Sequence, residues 1–115
     1  MILTSSRIND HLIIKILTDV MMDNSKDFYK EFEKIILQHN DLRVVSFDFH
    51  KVNFMDSSGI GSLIRAASYI KNLHSSVTVF NLNKSLYSVF RLSGLDNIIA
   101  IYTYDEFIEI YPELK

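Results

Sequence analysis

The sequence contains no cysteine and no tryptophan, and it has only one proline and three glycines. Without cysteine, neither a disulfide framework nor a thiolate metal site is available to the chain. So few glycines and prolines predict short connections between regular elements. No apolar run approaches the roughly 20 residues needed to cross a bilayer, and the first residues lack the basic start and apolar stretch of a secretory signal. These absences predict a soluble, cytoplasmic protein with no membrane insertion.

Charge and histidine placement exclude two further classes of function. The formal net charge is −2, and the twelve basic residues are dispersed along the chain. A nucleic-acid-binding protein concentrates basic residues in a patch or a run, so no nucleic-acid partner is expected. Metal sites draw on clustered ligands, whereas the four histidines lie far apart, at His11, His39, His50 and His74. The sequence therefore predicts no metal site and no cofactor.

Strand-like and helix-like patterns alternate along the chain. Apolar, β-branched runs predict strands over 11–17, 42–49, 77–82 and 98–102, with an edge strand over 2–8 as a fifth. Amphipathic spacing predicts helices over about 25–39, 56–72, 86–94 and 104–111. Such alternation is typical of parallel strands joined by crossover helices. We expect one α/β domain over 1–115, with a four- to five-stranded mixed sheet and about four helices mainly on one face. The less covered face should keep some polar side chains.

A cluster of small polar residues opens the second predicted helix, after an apolar approach. Helix starts leave backbone N–H groups without partners and carry partial positive charge. Asp56 or Ser57 can cap those groups. Gly59, Gly61 and Ser62 should let another surface approach the first turn closely. On these residues alone the segment is a plain helix cap, an anion site or a docking surface.

Two enzyme motifs can be tested against the same segment, and both fail. A hydrolase nucleophile elbow needs glycine two residues before its serine, whereas here Met55 and Asp56 occupy those positions. A phosphate-binding P-loop needs lysine directly after its second glycine, whereas here Ile60 and Ser62 follow the glycines. The sequence therefore predicts a binding protein and not an enzyme.

The segment Phe54-Met55-Asp56-Ser57-Ser58-Gly59-Ile60-Gly61 resembles the signature of STAS domains, the module shared by sulfate transporters and anti-sigma-factor antagonists. It is most like the stand-alone bacterial antagonists of sporulation and general-stress regulation. The strand that ends at Asp48, the strand at 79–82 and the passage at 91–99 are also similar to the family's layout. One departure lies at 18–22, after the first long strand, where the family usually carries a glycine and this chain has none.

The resemblance implies a STAS-like fold and a partner-switching cycle. The unphosphorylated protein would bind a kinase-type anti-sigma factor, which phosphorylates the serine after the aspartate and is thereby released. A PP2C-type phosphatase would reset the cycle. The phosphorylated position maps onto Ser57, with Ser58 as the alternative, and Asp56 would orient the hydroxyl or its phosphate. The residues expected to contact the partner are Asp56, Ser57, Ser58, Gly59, Ile60, Gly61 and Ser62.

The same resemblance leaves two other functions open. One is a non-phosphorylated STAS adaptor subunit of a lipid-transport ATP-binding-cassette system, and the other is direct nucleotide binding at the helix start. The intact Asp56-Ser57-Ser58-Gly59 favours the phosphorylated regulator, because an adaptor needs no acceptor hydroxyl. The missing lysine disfavours nucleotide binding. The chain shows no preceding sensory domain or attached membrane part, which predicts a free-standing regulator.

Overall fold

A computed structural model describes residues 1–115 as a five-stranded sheet with helices on both faces. The strands are β1 (Leu3–Ile8), β2 (His11–Ile16), β3 (Val44–Asp48), β4 (Ser76–Phe80) and β5 (Ala100–Tyr102). The helices are α1 (Ser25–Ile36), α2 (Ser57–Asn72), α3 (Lys84–Leu92) and α4 (Tyr104–Ile110), with 3₁₀ turns at Leu95–Asn97 and Pro112–Leu114. The expected α/β class, with five strands and four α-helices, is confirmed.

The strands lie in sequence order across the sheet, β1-β2-β3-β4-β5. β1 pairs antiparallel with β2, and every later pair is parallel, so the sheet is mixed as expected. β3 lies at the centre and is buried from Val44 to Phe47. A strand that is covered on both faces reads as a continuous apolar run, which explains why this segment lacks a clear alternation.

The main core lies between one face of the sheet and helices α1, α2 and α3. Phe28 and Phe32 repeat at helical spacing on α1 and are fully buried, with the Phe32 and Phe47 ring centroids 6.2 Å apart. Leu63 of α2 and Phe90 of α3 belong to the same cluster of 25 buried residues. Three of the four α-helices therefore pack on one face, as predicted.

Helix α4 covers part of the opposite face of the sheet. Its Phe107 ring stacks on the Phe80 ring of β4, with the centroids 3.9 Å apart. Three buried polar side chains share this face, His11, Ser46 and Thr78. The expectation that the less covered face would keep polar groups is confirmed.

The structure shortens several predicted elements. α1 ends at Ile36, three residues before the predicted end at 39. β5 begins at Ala100 and not at 98, because Gly94 adopts a left-handed conformation with φ 77° and leads into a 3₁₀ turn. The Ile98 and Ile99 N–H groups bond to the Leu95 carbonyl of that turn and are unavailable for strand pairing.

Candidate functional site

The carboxyl ends of the parallel strands bring three loops together. The loop after β2 covers 17–24, the loop after β3 covers 49–56, and the loop after β4 covers 81–83. Parallel strands end at the same edge of a sheet, and in open α/β sheets this edge is where ligands bind. The predicted site at the start of α2 lies at this edge.

Asp56 caps α2 and also holds the neighbouring loop. Its Oδ1 accepts the Gly59 N–H at 2.9 Å, and its Oδ2 accepts the Met22 N–H at 2.8 Å. The hydrogen bond from the Gly59 backbone is the main cause that lowers the pKa of Asp56, and the bond from Met22 lowers it further. Each oxygen is therefore bonded to a backbone N–H group. Both oxygens thus hold backbone groups in place, and a role of Asp56 in orienting the Ser57 hydroxyl or its phosphate stays a prediction.

Ser57 is the first residue of α2, and its side chain is exposed. Ser58, the alternative acceptor, is half-buried. The two hydroxyls thus differ in accessibility. The more accessible one belongs to the serine that directly follows the capping aspartate, as the resemblance implies for an acceptor.

The loop that departs from the family pattern is held by Asp19. Its Oδ1 accepts the Asn53 N–H at 2.7 Å and the Phe54 N–H at 3.1 Å. Beside this contact, Val20 and Met55 form an isolated parallel β-bridge. Asp19 therefore fixes the loop after β2 against the approach to α2. Sequence reasoning missed this role because the bonded residues lie 34 and 35 positions away.

The two glycines of the signature do different things. Gly59 is buried, and a Cβ at this position would overlap the carbonyl group of Val20. Gly61 is exposed, and a Cβ there would meet nothing within 4 Å. The close approach expected at this turn is made at Gly59 by the Val20 backbone of the same chain, whereas Gly61 leaves space open to another molecule. Gly59 is needed so that the Val20 backbone can approach the helix.

The remaining signature residues contribute mainly to packing. Ile60 is half-buried against the main core. The Ser62 hydroxyl donates to the Ser25 carbonyl at 3.1 Å and so connects α2 to α1. Of the residues expected to contact a partner, Ser57 and Gly61 are the two classed as exposed. The others are Asp56, which caps α2, Gly59 and Ile60, which pack closely, Ser62, which bonds to α1, and the half-buried Ser58.

Two large apolar side chains come from the loops that meet at the start of α2, and neither was in the expected contact set. Met22 is 77% exposed and Phe54 is 62% exposed. The Met22 backbone is bonded to Asp56 and the Phe54 backbone to Asp19, so both side chains project from fixed positions. We call Met22, Phe54, Ser57 and Gly61 together the Ser57 surface. The signal in the sequence is Phe54 itself, a large aromatic residue two positions before the capping Asp56.

Other kinds of site can be compared with this one. No group of three or more His, Asp or Glu side chains is arranged to hold a metal ion. The Arg43–Asp10 salt bridge, 3.1 Å long, lies at the amino ends of β2 and β3, on the edge away from Ser57. None of the helices combines the length and the apolar character that crossing a membrane requires.

Comparison with known proteins identifies the family of this chain. The STAS domain family matches residues 3–113, and the chain belongs to that family. A stretch of 58 residues is 33% identical to an anti-sigma-B factor antagonist of Listeria monocytogenes, and it covers 50% of this chain and 51% of that protein. The chain thus spans about half the length of the curated relatives it matches.

Two solved structures share the fold over nearly the whole chain. A Thermotoga maritima protein, described as a candidate anti-sigma factor antagonist, has a TM-score of 0.80 at 20% identity and covers 93% of this chain and 92% of its own. The Bacillus cell fate determinant SpoIIAA in its phosphorylated form has a TM-score of 0.67 at 18% identity. The match covers 95% of this chain and 98% of SpoIIAA. At this level of identity the likeness establishes the fold.

Proposed function

We propose that the protein is an anti-sigma-factor antagonist that works by partner switching. With Ser57 unmodified, the Ser57 surface binds a kinase-type anti-sigma factor. That partner transfers the γ-phosphoryl group of ATP to the Ser57 hydroxyl, which loses its proton, and ADP leaves. A PP2C-type phosphatase hydrolyses the phosphoserine and restores binding. The observation that carries the proposal is the exposed Ser57 hydroxyl at the start of a capped helix, in a chain of the STAS family with relatives named as antagonists.

The scaffold can accept a phosphate at this position. Phosphoserine adds about −1.5 to −2 charges near neutral pH. At a helix N-terminus the dipole favours a negative charge by roughly 0.3–1 kcal/mol. Asp56 opposes the phosphate as a nearby like charge, but solvent screens two groups at an exposed helix start. We therefore expect phosphorylation to leave the fold intact.

The interface is more sensitive than the fold. Met22 and Phe54 offer exposed apolar area from the two loops at the start of α2, and a partner that covers them together with Ser57 removes water from the hydroxyl as well. A phosphate dianion in that place would cost several kcal/mol unless the partner supplied a matching cation. Every 1.4 kcal/mol changes affinity about tenfold. A local charge is therefore enough to release the partner without any refolding.

Phosphate mapping tests the proposal. The protein is incubated with ATP and the kinase-type anti-sigma factor of the same genome, and the modified residue is located by mass spectrometry. The expected result is one phosphate on Ser57, lost in Ser57→Ala and kept in Ser58→Ala. Absence of phosphate, or phosphate confined to residues other than Ser57, would remove the proposal. Partner binding that is unaffected by the state of Ser57 would favour the adaptor function instead.

A further inference from the structure

A chain of buried polar side chains crosses the sheet on the face under α4. The imidazole of His11 on β2 is 1% exposed, and its Nε2 lies 2.6 Å from the Ser46 hydroxyl on β3. The Ser46 Oγ lies 2.6 Å from the Thr78 Oγ1 on β4. The proposed antagonist function uses none of these groups, which lie on the opposite face from the main core.

The second ring nitrogen of His11 has no partner. Its Nδ1 is buried and makes no hydrogen bond. Two aromatic rings close the site, with the His11 ring centroid 5.8 Å from that of Phe107 on α4 and 4.6 Å from that of Tyr111 just after it. Protons on both ring nitrogens would therefore place a cation beneath an apolar lid, with no acceptor for the Nδ1 N–H. A buried charge without a hydrogen-bond partner is costly.

The charged groups around His11 come from three segments. Burial is the largest effect and lowers the pKa of His11, Glu113 near the C-terminus raises it, Arg43 before β3 lowers it, and Asp10 before β2 raises it. Arg43 and Asp10 are paired with each other. Burial also raises the pKa of Tyr111, so that phenol stays neutral near neutral pH. Burial by α4 thus outweighs the nearby acids.

Helix α4 is a locally closed unit on this face. Thr103 and Glu106 form a capping box at its start, and the Phe107 and Tyr111 N–H groups bond to carbonyls at 103 and 107. The 25-residue main core contains no residue of α4. The segment can therefore leave the sheet without opening that core.

We propose that docking of the C-terminal segment, from Tyr104 to Lys115, requires the neutral imidazole of His11, so that mild acid detaches this segment while the main core stays folded. The linkage has a definite sign. Docking lowers the pKa of His11 below its ordinary 6.5, so the detached state binds the proton more tightly. The stabilisation is complete above about pH 6.5 and is lost as the pH falls through the lower, docked-state value. Each pKa unit of difference changes the docked-to-detached ratio about tenfold.

Hydrogen exchange of the full chain between pH 7.5 and pH 5 tests this proposal. Protection factors, corrected for intrinsic exchange, are compared for the amides of α4 and of α2. We expect α4 protection to fall below pH 6.5, about tenfold for each unit by which docking lowers the pKa of His11, while α2 protection is unchanged. His11→Gln keeps a hydrogen-bonding group for Ser46 but does not titrate, so it should abolish the pH dependence. His50→Gln, at an exposed histidine, should retain it.

Two results would overturn the proposal. The first is that the hydrogen-exchange protection of α4 does not change with pH, or changes together with the protection of α2. The other is a measured pKa of His11 at or above its ordinary value, which would mean that the aromatic rings stabilise the cation. If His11→Gln does not fold, NMR titration of the wild-type protein tests the proposal instead. The ring signals of His11 and Tyr111 should then shift together, with the same titration midpoint below pH 6.5.

Discussion

The Val20 carbonyl lies directly against the Cα of Gly59, where any side chain would overlap it. A Cβ built on Gly59 would come within 2.9 Å of the Val20 carbonyl carbon and 3.3 Å of its Cβ. The same contact is secured by the Val20–Met55 bridge and by the Asp56 bond to Met22. The loop after β2 and the start of α2 are therefore one rigid unit, and Ser57 stands on it.

The two signature glycines should respond differently to alanine. Gly59→Ala inserts a methyl group into this contact, and we expect a loss of about 1–3 kcal/mol in the free energy of unfolding. Gly61→Ala meets open space and replaces a poor helix former, so stability should be unchanged or higher by up to about 1 kcal/mol. Urea unfolding of both variants measures the difference. Equal effects of the two substitutions on the free energy of unfolding would contradict the close packing of Gly59 against Val20.

The Asp56 cap predicts a pH dependence of stability. Hydrogen bonds from the backbone lower the pKa of Asp56, so the carboxylate stabilises the fold above its ordinary pKa of 3.8, and this contribution is lost as the pH falls through the lower folded value. Asp56→Asn keeps a capping oxygen but cannot ionise. We expect wild type to be the more stable of the two at pH 7 and the gap to close in acid.

Thermal unfolding from pH 7 to pH 2.5 measures this difference in stability between wild type and Asp56→Asn. Asp105→Asn, at an exposed carboxylate in the first turn of α4, is the matched control for loss of a charge near a helix start. A gap between wild type and Asp56→Asn that stays constant with pH would contradict the cap.

The exposed apolar side chains should matter for binding and not for folding. Phe54→Ala and Met22→Ala remove exposed groups, so the free energy of unfolding should change by no more than about 0.5 kcal/mol. If they lie in the interface, each truncation should weaken binding of the anti-sigma factor by more than about 1 kcal/mol, close to tenfold. Isothermal titration calorimetry measures this effect.

Leu92→Ala provides the matched control for those truncations. Leu92 is 89% exposed near the end of α3 and lies outside the Ser57 surface. Its replacement should leave affinity unchanged. Affinity losses of the same size at Leu92 and Phe54 would place the interface elsewhere.

The sequence predicts the class of fold well because its evidence is local. Apolar runs mark β2 and β4, and the spacing of Phe28, Phe32 and Ile36 marks α1, with boundaries wrong by one to three residues. The strand order was not predictable, since it depends on pairing between distant segments. The late start of β5 was missed because its apolar residues resemble a strand, while the left-handed Gly94 directs them into a turn.

The sequence predicts the residues of the candidate site only where the bonded partners are close together in the chain. The Asp56 cap connects residues three positions apart, so the motif itself predicts it. The Asp19 carboxylate accepts from backbone N–H groups 34 and 35 residues away, and the Met22 N–H donates to a carboxylate 34 residues away. Nothing in the sequence around Asp19 or Met22 indicates those partners. The sequence does not indicate that His11 is buried and hydrogen-bonded, because its burial depends on α4 folding back over it.

A charge at Ser57 should release the partner, whereas the same charge elsewhere on α2 should not. Ser57→Ala is expected to bind the anti-sigma factor constitutively, and Ser57→Asp is expected to bind at least about tenfold more weakly. Ser68→Asp is the control, because Ser68 is exposed on the same helix and about 16 Å farther along it. Equal losses for the two aspartates would point to a general charge effect.

The most direct test compares the affinity of the anti-sigma factor for the unmodified protein and for protein phosphorylated on Ser57, by calorimetry at one salt concentration. We expect phosphorylation to weaken binding by at least about tenfold and to leave the unfolding midpoint nearly unchanged. Equal affinity for the two forms, or a phosphorylated protein that no longer folds, would contradict the account.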